Sequence, residues 1–226
     1  MLEGARVEQV RAVAFDVLET LLDLGPMRSR LAAVGQPPEL LQPWFLRLQR
    51  DAMALTLAGD VAEFGAVARQ ALRTETRHTA AEDELDHVLS GFGELPAHPD
   101  AEPALRRLTE AGMPVGCLTV GDPEVTARFL AGAGLDGYVG PVITAGEAGV
   151  WKPSPGLYRT AAQRLGVPLG GLAVVAVHAW DCHGAKRAGC AAGWCSRLEG
   201  RYGAVFAPPD VVGDDLVRVV EGLLGG

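Results

Sequence analysis

Long apolar runs are missing from this chain. None reaches the ~18 residues needed to cross a bilayer, and no basic region followed by an apolar one opens the sequence. Neither a membrane span nor a secretion signal is expected, and the protein is read as cytoplasmic. Basic charge is also scarce. Lys and Arg total 20 against 28 Asp and Glu, a net charge of −8, which disfavours nonspecific binding to nucleic acid or to an anionic membrane because both need clustered cations. A small-molecule substrate, even an anionic one, needs only a few local cations. Cysteine is confined to Cys117, Cys182, Cys190 and Cys195, with no C-x-x-C pair. At 226 residues the chain is large for a disulfide scaffold. The spacing of these thiols with His178 and His183 matches no standard zinc pattern, so reduced, mostly buried thiols are expected, with no metal and no cofactor. No internal repeat or low-complexity segment appears.

What the chain does have is apolar content, 48% of its residues, enough for a substantial core. Residues 12–15, 114–118, 142–143 and 172–177 are short continuous apolar runs, the pattern of parallel strands covered on both faces. Between them, residues 101–112 are amphipathic and end in Gly112, and residues 153–166 place Leu157, Ala161 and Leu165 at four-residue spacing. Alternating strands and helices predict an α/β fold with a doubly wound parallel sheet. Residues from about 23 to 97 break the rhythm. Helical stretches are expected there around 38–58 and 61–75, joined at Gly59-Asp60 and set over the carboxyl edge of the sheet as a lid.

Four segments at strand ends carry candidate chemistry. Asp16 closes the first run, and a desolvated, oriented carboxylate is a competent nucleophile; a turn or cap is its ordinary alternative. Thr119, Val120 and Gly121 follow the second run and offer a hydroxyl and backbone N–H groups. Lys152 precedes a proline-started helix and can aim an ammonium into the sheet-edge crevice. His178, Trp180 and Asp181 follow the last run, where Asp181 either pairs with Lys152, positions water, or caps a helix. Their order and shared location at strand tips are more specific than any one of them.

FDVLETL (residues 15–21), LTVGD (118–122), VWKPSPGLY (150–158) and VHAWDCHGAKRAG (177–189) together resemble the four motifs of the haloacid dehalogenase superfamily. The likeness is greatest to its L-2-haloacid dehalogenase (type II) branch, and Trp44 through Phe64 resembles that branch's helical cap. The resemblance implies a Rossmann-like core over 1–22 and 98–226, a helical cap over 23–97, and a dimer formed through the cap, where Leu55 and Leu57 are apolar. It implies Asp16 as nucleophile, Thr20 as support for its loop, Lys152 as the neighbouring cation and Asp181 as acidic partner for the water step, with Thr119 in the second motif. In that family the aspartate displaces halide from carbon, and water then cleaves the ester without a metal.

Several positions differ from the family pattern. Phe45 stands where a cap arginine is found, Val120 where an asparagine is, Leu18 where an aromatic is, and Ala176 and His178 where a serine and an asparagine are. Leu18, Phe45 and Val120 predict a more apolar substrate pocket, lined also by His178 and Trp180. Arg28, Arg47 and His178 are the cations available to replace the arginine, although Arg47 is expected to face away from Phe45. Leu18 and Val177 stand where superfamily phosphatases carry acids, which disfavours Mg²⁺-dependent phosphoryl transfer. The expected function is hydrolysis of a small organic acid, 2-halo acids included, through an Asp16 ester. The alternatives are a non-catalytic binding protein and acid–base chemistry by His178 or His183.

Overall fold

A computed structural model describes residues 10–225, apart from Val120 and Asp122. Six strands, β1 (Ala12–Asp16), β2 (Val115–Thr119), β3 (Val142–Thr144), β4 (Leu172–Ala176), β5 (Ala191–Cys195) and β6 (Val211–Gly213), form one parallel sheet in the order β3-β2-β1-β4-β5-β6. The continuous apolar runs are strands because both sheet faces are covered: β1, β2, β4 and β5 are buried along their whole lengths. Side chains alternate between the faces. Val13 and Phe15 join a core with Leu105, Leu108 and Val219, whereas Ala12 and Ala14 face Leu157, Tyr158 and Ala161.

The helices are α1 (Met27–Ala33), α2 (Leu41–Ala58), α3 (Phe64–Glu75), α4 (Glu82–Ser90), α5 (Ala101–Glu110), α6 (Pro123–Gly132), α7 (Ala145–Ala148), α8 (Pro155–Arg164), α9 (Ala179–Ala188) and α10 (Leu216–Leu224). Among the described residues no helix is long and apolar enough to cross a membrane. The first four lie between β1 and α5. Helix α2 stops at the expected joint: Gly59 takes φ 88°, and Asp60 N–H bonds back to Leu55 O at 2.9 Å. Trp44 Nε1 donates to Ala68 O at 2.9 Å, fixing α2 against α3. Two contacts tie these helices to the sheet edge. Trp151 N–H donates to Thr56 Oγ1 at 3.0 Å, and the Phe64 and Trp151 rings stack at 6.4 Å.

The sheet order reverses at β1 and β4, which run side by side with Phe15 beside Val175. Open α/β sheets place their ligand crevice outside the carboxyl ends of strands at such a point. Asp16 ends β1 and His178 follows β4, so both reach the crevice.

Close packing beneath it depends on Gly184 in α9. A Cβ there would come within 2.5 Å of Pro153 Cβ and 2.6 Å of the Tyr158 hydroxyl. Alanine favours a helix interior over glycine by about 0.5–1 kcal/mol, but overpacking a rigid core costs about 1–3 kcal/mol. Gly184→Ala is therefore expected to lower stability by about 1–2 kcal/mol. Denaturant unfolding measures it; an increase in stability would contradict the packing described.

Candidate active site

Asp16 is 5% exposed and is held on both oxygens. Lys152 Nζ donates to Oδ1 at 2.7 Å, and the Thr20 hydroxyl donates to Oδ2 at 2.6 Å. Val177 N–H donates to Thr20 Oγ1 at 3.1 Å, which fixes that hydroxyl's proton toward the carboxylate. The same ammonium donates to Asp181 Oδ2 at 2.7 Å. Asp181 Oδ1 accepts from the Tyr158 hydroxyl at 2.6 Å. Lys152 thus sits between two buried carboxylates, and every one of these side chains is locked by a partner.

Electrostatics decide the charge states. Burial works against ionisation of Asp16, but the Lys152 ammonium beside it, with help from His178, holds its carboxyl well below the usual range. Burial also opposes the charge of Lys152; Asp16 and Asp181 outweigh it and raise its pKa. Burial, and then Asp181, pushes the Tyr158 hydroxyl upward, so it remains a donor. An ionised, desolvated, fixed carboxylate results, the state a carboxylate nucleophile requires.

His178 adds a second cation. Its Nε2 lies 2.8 Å from Glu19 Oε2, and its Nδ1 lies 3.4 Å from Asp16 Oδ2. Burial disfavours the imidazolium, but hydrogen bonding to Asp16 and Glu19 pushes its pKa up to about 10. The charged groups around it are Asp16 at the end of β1, Glu19 in the following turn, Lys152 beyond Asp16, Asp181 in the first turn of α9, and Glu199, beyond β5, which accepts from Ala179 N–H at the start of that helix. Because the folded pKa lies above the unfolded ~6.5, its stabilising contribution is complete below that pH and is lost as pH rises through about 10. An imidazole titration followed by NMR is expected to show His178 charged at neutral pH with a midpoint about 10; an unshifted midpoint would count against the Glu19 pairing.

Above Asp16 lies a cavity of about 20 Å³, room for one water-sized species. Leu18, Phe45, Met53, Trp151, His178 and Trp180 are among its walls. The structure therefore brings Leu18, Phe45, His178 and Trp180 to Asp16, while Val120 lies outside the described residues. The Trp180 ring lies 5.3 Å from that of His178. Thr119 ends β2, accepts from Gly121 N–H at 2.9 Å, and lines a neighbouring cavity of about 200 Å³ that shares Leu18. Arg47 faces away and pairs with Glu75 on α3; Arg28 donates to Pro38 O and lines a separate crevice. His183 accepts from Ala207 N–H at 2.9 Å, a structural contact.

Among the described residues no group of three or more His, Cys, Asp or Glu side chains is arranged to hold a metal ion. All four cysteines are free and buried, and burial pushes the Cys117 and Cys190 thiols up to about 12.

Two functional neighbours escaped the sequence reading. Tyr158 lies within the third motif, six residues after Lys152. Glu19 interrupts the apolar stretch between Val17 and Leu22, an acid where burial is otherwise the rule.

The haloacid dehalogenase-like hydrolase family matches residues 10–189. An (S)-2-haloacid dehalogenase 4A from Burkholderia cepacia is 33% identical over 188 residues, 81% of each chain. The L-2-haloacid dehalogenase RSc1362 has a TM-score of 0.88 at 27% identity, covering 96% of this chain and 100% of its own. An L-2-haloacid dehalogenase from Xanthobacter autotrophicus with chloropropionic acid covalently bound superposes at a TM-score of 0.85 over 96% of this chain and 99% of its own; at 24% identity this likeness concerns the fold.

Proposed function

Because the chain belongs to the haloacid dehalogenase-like hydrolase family, we propose that it hydrolyses a small 2-halo acid through a covalent ester on Asp16. The observation that carries this is Lys152 Nζ, 2.7 Å from both Asp16 and Asp181 in a buried cavity. That geometry supports an Asp16 carboxylate kept ionised and aimed in a site poor in water. The relatives' activity on 2-haloacids supports the substrate class.

In the first step an Asp16 oxygen attacks the halogen-bearing carbon. The carbon–halogen bond breaks, and halide departs with the electron pair. In the second, water attacks the Asp16 carboxyl carbon, the bond between that carbon and the ester oxygen breaks, and the 2-hydroxy acid leaves as Asp16 is restored. Asp181 and Lys152 act on the water step, Thr20 fixes the carboxylate, Thr119 stands at the adjoining strand tip, and Leu18, Phe45, Val120, His178 and Trp180 contact the substrate. The adjoining cavity of about 200 Å³, which shares Leu18 and carries Thr119 on its wall, adds room beside the smaller space above Asp16. The core and cap boundaries follow the same reading, 1–22 with 98–226 and 23–97. So does pairing of two copies through the cap, where Leu57 is 89% exposed.

The test is a single turnover with 2-chloropropionate in heavy-oxygen water. Label is expected in Asp16 and halide in solution; label in the hydroxy acid with none in Asp16 would mean direct attack by water and sink the ester.

A further inference from the structure

The water step needs a base, and Asp181 is badly placed to be one. It is fully buried, does not line the cavity above Asp16, and has one oxygen taken by Lys152 and the other by Tyr158. Lys152 is held as an ammonium and has no lone pair to offer. His178 is placed differently. It borders the same space as Asp16, about 20 Å³ and enough for one water. Its Nδ1 lies 3.4 Å from Asp16 Oδ2 and has no hydrogen-bond partner among the described residues.

The other ring nitrogen is committed. Glu19 Oε2 lies 2.8 Å from Nε2, so a neutral imidazole keeps its hydrogen there and turns the Nδ1 lone pair toward Asp16. Glu19 holds this position at φ 68°, a left-handed conformation that costs energy in a residue with a Cβ. Nucleophile, imidazole and second acid follow one another in space, the arrangement in which an acid orients a histidine base.

We propose that His178 is the general base of the second step, taking a proton on Nδ1 from the water that attacks the Asp16 carboxyl carbon, with Glu19 as its positioning residue. The inference rests on the Asp16 ester of the haloacid reading, and Asp181 then serves the step by holding Lys152. Charge couples the two steps. In the resting site Asp16 and Glu19 together keep the imidazole protonated against its burial. Esterification makes Asp16 neutral and removes one of these two supports, while the other charges around the ring, Lys152, Asp181 and Glu199, are unaltered. His178 then loses its Nδ1 proton to solvent, and this is the acid that the overall hydrolysis releases. Water gives one proton to Nδ1 and its oxygen to the carboxyl carbon. The bond from that carbon to the ester oxygen breaks, and the imidazolium passes its proton to the departing alkoxide. The ring takes the remaining proton from the Asp16 carboxyl, restoring the resting pair. The base is thus armed only while there is an ester to cleave.

Rapid-quench turnover of 2-chloropropionate by wild type, His178→Gln and His178→Asn tests this, with intact-protein mass and circular dichroism on each. His178→Asn carries the residue of the family pattern. Both variants are expected to release halide in a burst equal to the enzyme, then to accumulate the Asp16 ester, whose breakdown slows by about 100-fold or more. Ester breakdown at the wild-type rate in either folded variant overturns the proposal. A folded variant that forms no ester places His178 in the first step and overturns it as well. In Glu19→Gln the imidazole loses a charge that favours its protonated form, so the acid limb of ester breakdown is expected to move to lower pH. A purely structural Glu19 would leave that limb in place, and an unmoved limb overturns the proposal even if neither His178 variant folds. Absence of halide from the wild type removes the haloacid reading, and this inference with it; a normal wild type beside unslowed variants removes this inference alone.

Discussion

Asp16→Asn is expected to reduce halide release from 2-chloropropionate by about 10⁴-fold or more, to the rate of buffer alone, in a protein that still folds. An amide oxygen is a far weaker nucleophile than a carboxylate, and among the described residues no second carboxylate lines the cavity: Asp181 is fully buried and held by Lys152 and Tyr158, and Glu19 is turned to His178. Folding is expected to survive because Lys152 keeps its contact with Asp181 and the Asn carbonyl can accept from Thr20. Halide release by ion-selective electrode, with circular dichroism on the same sample, decides the matter. Activity within tenfold of wild type would remove Asp16 from the chemistry.

Lys152→Met is expected to be damaging in a different way, by removing both stability and activity. Without the ammonium, two buried carboxylates lose their common partner, and breaking a buried ion pair from one side costs about 3–5 kcal/mol. At about 2–4 °C per kcal/mol for a domain of this size, the melting temperature should fall by roughly 6–20 °C. Burial, now less opposed, raises the pKa of Asp16, so activity at neutral pH should fall and its acid limb move to higher pH. Adding Asp181→Asn to Lys152→Met should recover part of the stability, since one uncompensated charge is gone, and should recover no activity. Thermal unfolding of the single and double variants measures both; equal melting temperatures for wild type and Lys152→Met would show that the ammonium carries no such burden.

The sequence exposed some layers of this molecule and hid others for physical reasons. β1, β2 and β4 announced themselves because a strand buried on both faces must be apolar at every position, as in Leu172–Ala176. β5 did not: it opens on Ala-Ala-Gly, and Gly193 lies under Val219, where a Cβ would come within 2.5 Å of Val219 Cγ1. That constraint belongs to packing and leaves no periodic trace. Asp16 and Asp181 were legible because strand tips converge in an open α/β sheet, and Lys152 because the turn before a proline-started helix borders the same edge; the structure sets it between α7 and α8. The contact between Glu19 and His178 was not, because it joins residues 159 apart through a backbone conformation that nothing in VLETL signals. The helical insertion was legible at Gly59, whose left-handed turn suits glycine, and missed at α4, whose Leu85 and Val88 are its only buried side chains.

The interior thiols give the molecule an intrinsic clock. Maleimides and disulfide reagents react with thiolates they can reach, and Cys117, Cys182, Cys190 and Cys195 offer neither access nor ionisation while the sheet is intact. Chemical tagging at these positions therefore proceeds only as fast as the fold opens, so its rate reads kinetic durability directly, with no engineered reporter.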